Sequence, residues 1–273
     1  MNRTRRPAQD PQQGLSETKI CGLHACRAVF LSRPTDILRV YVREDRVGAL
    51  GDVLSSLAKE RRSYKLSANE DLERLTDSTH HEGVCFVVRA KREPTLDELL
   101  RTPGAQCLLA LTDVANPHNV GAILRTAAHF GARGVILGEG ARVTPAAMRT
   151  AQGGAEAVAV HSTNDWNATL LACRAAGYTL CATSSHAPNS LYETSLPAKL
   201  VVLVGSEAQG LPPEVQELAD LMVAVPGTGR VESLNVAAAT AVVLGELWRQ
   251  QRQSKTVATA QPPAARPARP PAK

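Results

Sequence analysis

The sequence predicts an α/β protein of two folded units, a small one ending near residue 90 and a larger one built on a parallel sheet with helices on both faces. Three observations lead there. From Leu108 onward, strand-sized apolar runs alternate with segments of helix length. A charged, proline-containing stretch separates this region from an earlier apolar one. Both chain ends are basic and polar, with too few apolar side chains to bury a core.

In chain order, residues 1–16 read as a disordered basic tail and residues 17–90 as the small unit. That unit holds a helix over Gly22–Leu31, a strand over Ile37–Val42, a helix over Val47–Glu60 and a strand over Val84–Val88. Residues 91–106 read as a linker. Residues 107–252 form the larger unit, with strands at Leu108–Thr112, Gly134–Leu137, Ala157–His161, Tyr178–Ala182, Leu200–Val204 and Leu221–Val225. Helices fall between them at Val120–Phe130, Pro145–Gln152, Trp166–Ala176, Pro213–Ala219 and Val236–Gln251. Thr144-Pro145 supplies an N-cap and a proline at the first helical position, while Gly131 and Gly177 stand where C-caps belong. Residues 253–273, where Pro and Ala repeat among isolated Arg, read as a second disordered tail.

With 273 residues and 44% apolar content, the chain can bury two modest cores. Its formal charge of +5 is uneven: residues 1–16 hold +2 and residues 252–273 hold +5, which leaves −2 for the folded part. The folded part therefore meets any polyanion through local patches only. An aromatic content of 3% argues against a base-stacking platform as the main RNA contact. Apolar runs such as Leu108–Leu111 and Leu200–Val204 are far shorter than a membrane span, and Met1–Gly14 has no apolar stretch of the secretory kind. Cys21, Cys26, Cys85, Cys107, Cys173 and Cys181 form no C-x-x-C pair, and most lie in apolar segments. They are expected as core residues of a protein in a reducing cytoplasm.

Parallel sheets bind ligands beyond the carboxyl ends of their strands, so the residues there are the candidates for chemistry. After Leu108–Thr112 comes Asn116-Pro117-His118-Asn119-Val120-Gly121, then Arg125, with Asn119 expected as the N-cap. Gly121 removes a side chain where something approaches closely. After Leu200–Val204 comes Gly205-Ser206-Glu207-Ala208-Gln209-Gly210, a glycine-flanked carboxylate. After Leu221–Val225 comes Pro226, a glycine-rich stretch with Arg230, and then Ser233-Leu234-Asn235, either end of which can cap the last helix. Each segment alone is equally an ordinary turn or a capped helix. No G-x-G-x-x-G, Walker A, H-E-x-x-H or G-x-S-x-G occurs, and the seven histidines have no metal-ligand spacing.

Taken in order, the three segments resemble the motifs of the SpoU (TrmH) branch of the SPOUT RNA methyltransferases. Asn119, Gly121 and Arg125 match the first, Gly205, Glu207, Gly210 and Leu211 the second, and Val225, Pro226, Gly229 and Ser233–Val236 the third. Cys21–Ala25 and His81–Val84 are similar to signatures of the small RNA-binding domain of the RlmB-like, two-domain form, with Glu82 in place of the usual Gln. Ala208 stands where the second motif has Gly, and would be strained if that position needed positive φ.

The resemblance implies a C-terminal trefoil-knot α/β domain, a homodimer formed through it, and S-adenosyl-L-methionine as methyl donor without a metal. It implies transfer to a ribose 2′-hydroxyl, with ribosomal RNA favoured because shorter tRNA-modifying relatives lack the first domain. Asn119, Arg125, Glu207, Ser233 and Asn235 are the implied catalytic set, with Arg125 anchoring phosphate and polarising the hydroxyl and Glu207 orienting Arg125 or offsetting the sulfonium. Gly205, Gly210, Val225, Pro226 and Leu234 would frame the cofactor, with Ala182 and Thr183 as neighbours. A tRNA methyltransferase, or a non-catalytic RNA-binding protein on the same fold, are the alternatives. A generic small-molecule enzyme fits the strand ends but not the extra domain.

Overall fold

The computed structural model describes residues 16–101, 106–138 and 141–260. The tail expected at 1–16, except Ser16, the end of the expected linker and most of the tail expected at 253–273 lie outside those residues.

The first unit runs β1 (Glu17–Cys21), α1 (Leu23–Ser32), β2 (Ile37–Val42), α2 (Gly51–Lys59), β3 (Tyr64–Leu66), α3 (Asn69–Thr76) and β4 (Val84–Arg89). Its sheet has the order β1-β4-β2-β3, with β4 antiparallel to both neighbours. β4 is central because Val84–Val88 is apolar on both faces and wholly buried. The helix expected over Val47–Glu60 starts later, at Gly51, after two 3₁₀ turns at Glu44–Arg46 and Gly48–Leu50. β1, β3 and α3 were not expected. Each is short, and α3 is anchored mainly by one fully buried side chain, Leu72.

The expected linker contains a helix, α4 (Leu96–Arg101). Its leucines recur at helical spacing, and Leu99 is buried against the second sheet, within 2.6 Å of where a Cβ on Gly134 would stand.

The second unit runs β5 (Cys107–Leu111), α5 (Pro117–Phe130), β6 (Gly134–Leu137), α6 (Pro145–Ala151), α7 (Gly154–Ala157), β7 (Ala159–Ser162), α8 (Trp166–Ala175), β8 (Thr179–Thr183), β9 (Asn189–Ser190), β10 (Leu200–Val204), α9 (Pro213–Glu217), β11 (Leu221–Ala224) and α10 (Val236–Ala260). All seven strands are parallel, in the order β7-β6-β5-β10-β8-β11-β9. β10 slots between β5 and β8; β5 and β10 are continuous apolar runs, and β8 is an apolar centre flanked by Thr179 and Thr183. One core cluster lies on each face of this sheet, as expected for a doubly covered parallel sheet.

Helix ends follow the local chemistry. Thr144 Oγ1 accepts from Ala147 N at 3.2 Å, with Pro145 next in the chain, and Gly131 and Gly177 take the left-handed conformation at φ 72° and 84°. α10 continues past Gln251 to Ala260, because the first proline of that region comes only at Pro262. All six cysteines are buried and free. Among the described residues, no helix is long and apolar enough to cross a membrane.

Candidate functional site

The carboxyl ends of β8, β10 and β11 enclose a cavity of about 800 Å³. Thr183, Gly205, Glu207 and Gly210 line it from two of these ends, and Val225, Pro226, Ser233 and Leu234 from the third. Ala182 does not: it is fully buried in the core beneath, with its neighbour Thr183 donating Oγ1 to Leu203 O at 2.9 Å. Ser184, Ser185 and His186 also line the cavity and were missed. A polar run directly after a parallel strand was the signal that could have found them.

The loop after β10 is shaped by two glycines. Ser206 and Gly210 exchange backbone hydrogen bonds at 3.1 and 2.9 Å, so the loop folds back on itself. A Cβ on Gly205 would stand 2.1 Å from Gly210 C and 2.4 Å from Leu211 N, closer than any side chain tolerates. Positive φ falls on Gly210, at 69°, and not on Ala208, so the strain considered for Ala208 does not arise. Gly205→Ala is therefore expected to force the loop open and abolish cofactor binding, while Ala208→Gly changes affinity little. Calorimetric titration of both variants with S-adenosylmethionine checks this.

Behind the cavity, three distant segments are tied together by one amide. Asn235 caps α10, its Oδ1 accepting from Ala237 N at 3.0 Å and Ala238 N at 3.3 Å. Its Nδ2 donates to Asn119 Oδ1 at 3.2 Å and to Glu207 Oε1 at 2.5 Å. Glu207 Oε1 also lies 3.4 Å from Val236 N, at the positive end of α10. A primary amide is the one side chain that offers two donors and two acceptors for this junction.

Asn119 is not the cap of α5, contrary to expectation. Asn116 is, accepting from His118 N at 2.9 Å with Pro117 in the first position, which leaves the Asn119 side chain free to meet Asn235. Gly121 makes room for protein rather than ligand, since a Cβ there would stand 2.5 Å from Ala147 O on α6.

Arg125 lies elsewhere. It is exposed and lines a second hollow with Ala128, His129, Gln152 and Ala241, on the side of α5 that meets α10. It makes no ion pair with Glu207, whose carboxylate is engaged with Asn235. Ser233 is exposed on the cavity rim and Arg230 is exposed in the adjoining loop.

The cavity suits a cationic ligand. Among the described residues no Lys or Arg lines it, whereas Glu207 and Glu232 do. His186 Nε2 lies 3.6 Å from Glu232 Oε1 across the mouth, but both groups are about 80% exposed and the pair contributes little. Among the described residues no three His, Cys, Asp or Glu side chains converge as a metal site would require.

The SpoU rRNA Methylase family model matches residues 106–245, half of the chain. YfiF of Escherichia coli O157:H7, named an uncharacterized tRNA/rRNA methyltransferase, is 39% identical over 243 residues, covering 88% of this chain and 70% of its own. The chain belongs to the SpoU family. A second model, described as RNA 2′-O ribose methyltransferase substrate binding, matches residues 19–94, so the first unit is the SpoU substrate-binding domain. The 23S rRNA (guanosine-2′-O-)-methyltransferase RlmB of Shewanella oneidensis is 31% identical, covering 85% of this chain and 97% of the relative. The fold is that of the SpoU methyltransferase AviRb from Streptomyces viridochromogenes in complex with AdoMet, at a TM-score of 0.73 and 22% identity over 86% of this chain and 91% of that one. This chain is thus a SpoU-family RNA methylase that carries the substrate-binding domain of RNA 2′-O ribose methyltransferases.

Proposed function

We propose that the chain methylates a ribose 2′-hydroxyl of ribosomal RNA, in the cytoplasm, as a homodimer. The observation that carries this reading is the junction of Asn119, Asn235 and Glu207 behind a cavity that, among the described residues, no Lys or Arg lines. S-adenosylmethionine would supply an electrophilic methyl on a sulfonium; transfer to the ribose oxygen breaks the methyl carbon–sulfur bond, leaves S-adenosylhomocysteine as a neutral thioether and passes the hydroxyl proton to water. Glu207 and Glu232 lend the cavity the negative charge that favours a sulfonium. Gly205, Gly210, Val225, Pro226, Leu234 and Thr183 hold the ligand largely through backbone and apolar contact. Ser233, on the rim, is placed to hydrogen-bond the incoming ribose.

Arg125 is the group for the RNA side. A guanidinium stays protonated in nearly any setting, so its role is to bind the neighbouring phosphate and polarise the hydroxyl rather than to take its proton. In one chain it faces a hollow separate from the cavity. A symmetric dimer packed through α5 and α10 would bring the Arg125 of one copy toward the cavity of the other. Ribosomal RNA is favoured over tRNA by the substrate-binding domain and by the RlmB relatives.

The test is incubation of the full chain with labelled S-adenosylmethionine and unmodified ribosomal RNA or tRNA, followed by nucleoside analysis. Label in 2′-O-methylnucleosides of ribosomal RNA is expected. Label in tRNA alone, or in a base, would overturn the reading.

A further inference from the structure

The two units meet along α1, α6 and α7 in a fixed joint. Arg33, just after α1, donates from Nε and Nη2 to the two carboxylate oxygens of Glu156 on α7, both at 2.9 Å. Only 13% of the Arg33 side chain and 8% of the Glu156 side chain remain exposed, so the pair is shielded from water and geometrically specific. Arg33 Nη1 also donates to Arg89 O at 2.6 Å, which fastens the pair to the end of β4. Two residues beyond β4, at the start of the linker, Lys91 Nζ donates to the carbonyls of Glu156, Ala155 and Val158 at 2.9, 3.1 and 3.4 Å, at the C-terminal end of α7. Packing completes the joint: Met148 of α6 touches the cores of both units, and a Cβ on Gly153 would stand 2.7 Å from Ala28 Cβ. Units of one chain move against each other unless such an interface prevents it.

The other end of α7 meets the catalytic helix. A Cβ on Gly154 would stand 2.8 Å from Arg125 Cα and 2.8 Å from Leu124 O. One turn of helix therefore connects the backbone of Arg125 to the carboxylate that holds the substrate-binding domain. We propose that Arg33, Glu156 and Lys91 are positioning residues that hold this domain at one spacing from Arg125, so that the enzyme selects its ribose by distance from the RNA element the domain grips. The proposal rests on the reading of Arg125 as the residue that presents RNA for methylation.

The test uses the full chain and unmodified large-subunit ribosomal RNA, comparing wild type with Glu156→Ala, Lys91→Met and Arg33→Lys. KM for RNA, kcat, cofactor affinity and the mapped positions of 2′-O-methylation are measured for each. Glu156→Ala and Lys91→Met are expected to raise KM by at least ~10-fold, with kcat and cofactor affinity within ~2-fold of wild type and methyl groups spread to additional riboses. Arg33→Lys keeps the charge but loses the two-pronged contact with Glu156, and its KM is expected to fall between those of wild type and Glu156→Ala. Unchanged KM and a single methylated position in Glu156→Ala overturn the proposal. So does a parallel loss of KM, kcat, cofactor affinity and melting temperature, the mark of a merely structural joint. A wild-type chain that methylates no RNA overturns the functional reading and this one together, whereas variants that match an active wild type overturn this one alone.

Discussion

Arg125→Ala is expected to lower methyl transfer by at least ~100-fold while leaving the fold, self-association and cofactor affinity intact. Three features separate these effects. Arg125 is exposed, so truncating it opens no cavity in the core. It has no ion-pair or hydrogen-bond partner among the described residues, so no buried group is left unpaired. It does not line the cavity expected to take the cofactor. Arg125→Lys keeps the charge and loses the planar fork, and should fall between the two. Near-normal turnover in Arg125→Ala would remove it from the mechanism. Supply across a dimer has its own signature. Arg125→Ala chains mixed and re-associated with Gly205→Ala chains should regain about a quarter of wild-type activity, because half the dimers then hold one intact site of two. A mixture as inactive as its components would show that each chain uses its own arginine.

The second large effect is expected at Asn235, where capping and site assembly share one side chain. Asn235→Ser keeps an oxygen for the first turn of α10 but offers no pair of N–H donors to Asn119 and Glu207. Helix stability should change by only a few tenths of a kcal/mol. The lost bond to a carboxylate should cost about 1–2 kcal/mol after allowance for its exposure, so cofactor affinity should fall roughly tenfold. Asn235→Asp keeps the cap and sets a second carboxylate against Glu207, and should be worse than Ser for both cofactor binding and turnover. Thermal melting with calorimetric titration of the two variants separates the roles. Equal cofactor affinity in Asn235→Ser and wild type would reduce Asn235 to a cap.

Much of the sheet was legible because buried parallel strands read as continuous apolar runs. Leu108–Leu111 and Leu200–Val204 needed no tertiary information. The cavity followed from the same reading, since glycines, a carboxylate and a Ser/Asn pair cluster just past strand ends. What escaped was short or half-polar. β9 is two residues long, β3 is three exposed ones, and β1 opens with Glu-Thr-Lys. The cap of α5 was misplaced although the rule was at hand, because Pro117 in the first position points to Asn116 rather than Asn119. The place of Arg125 was not legible at all. Spacing along a helix fixes a face but not which neighbour that face meets.

The placement of β10 bears on how the molecule is made. The hydrogen bond from Thr112 N to Val204 O joins residues 92 positions apart, in the middle of the sheet rather than at its rim. While β10 is still absent during synthesis, the β5–β7 half and the β8 half share no strand pairing. Joining them demands a late, long-range closure of the slow-folding kind. Gly205 and Glu207 follow directly on that strand, so the cavity proposed for the methyl donor cannot assemble in a nascent or truncated chain until its sheet is whole.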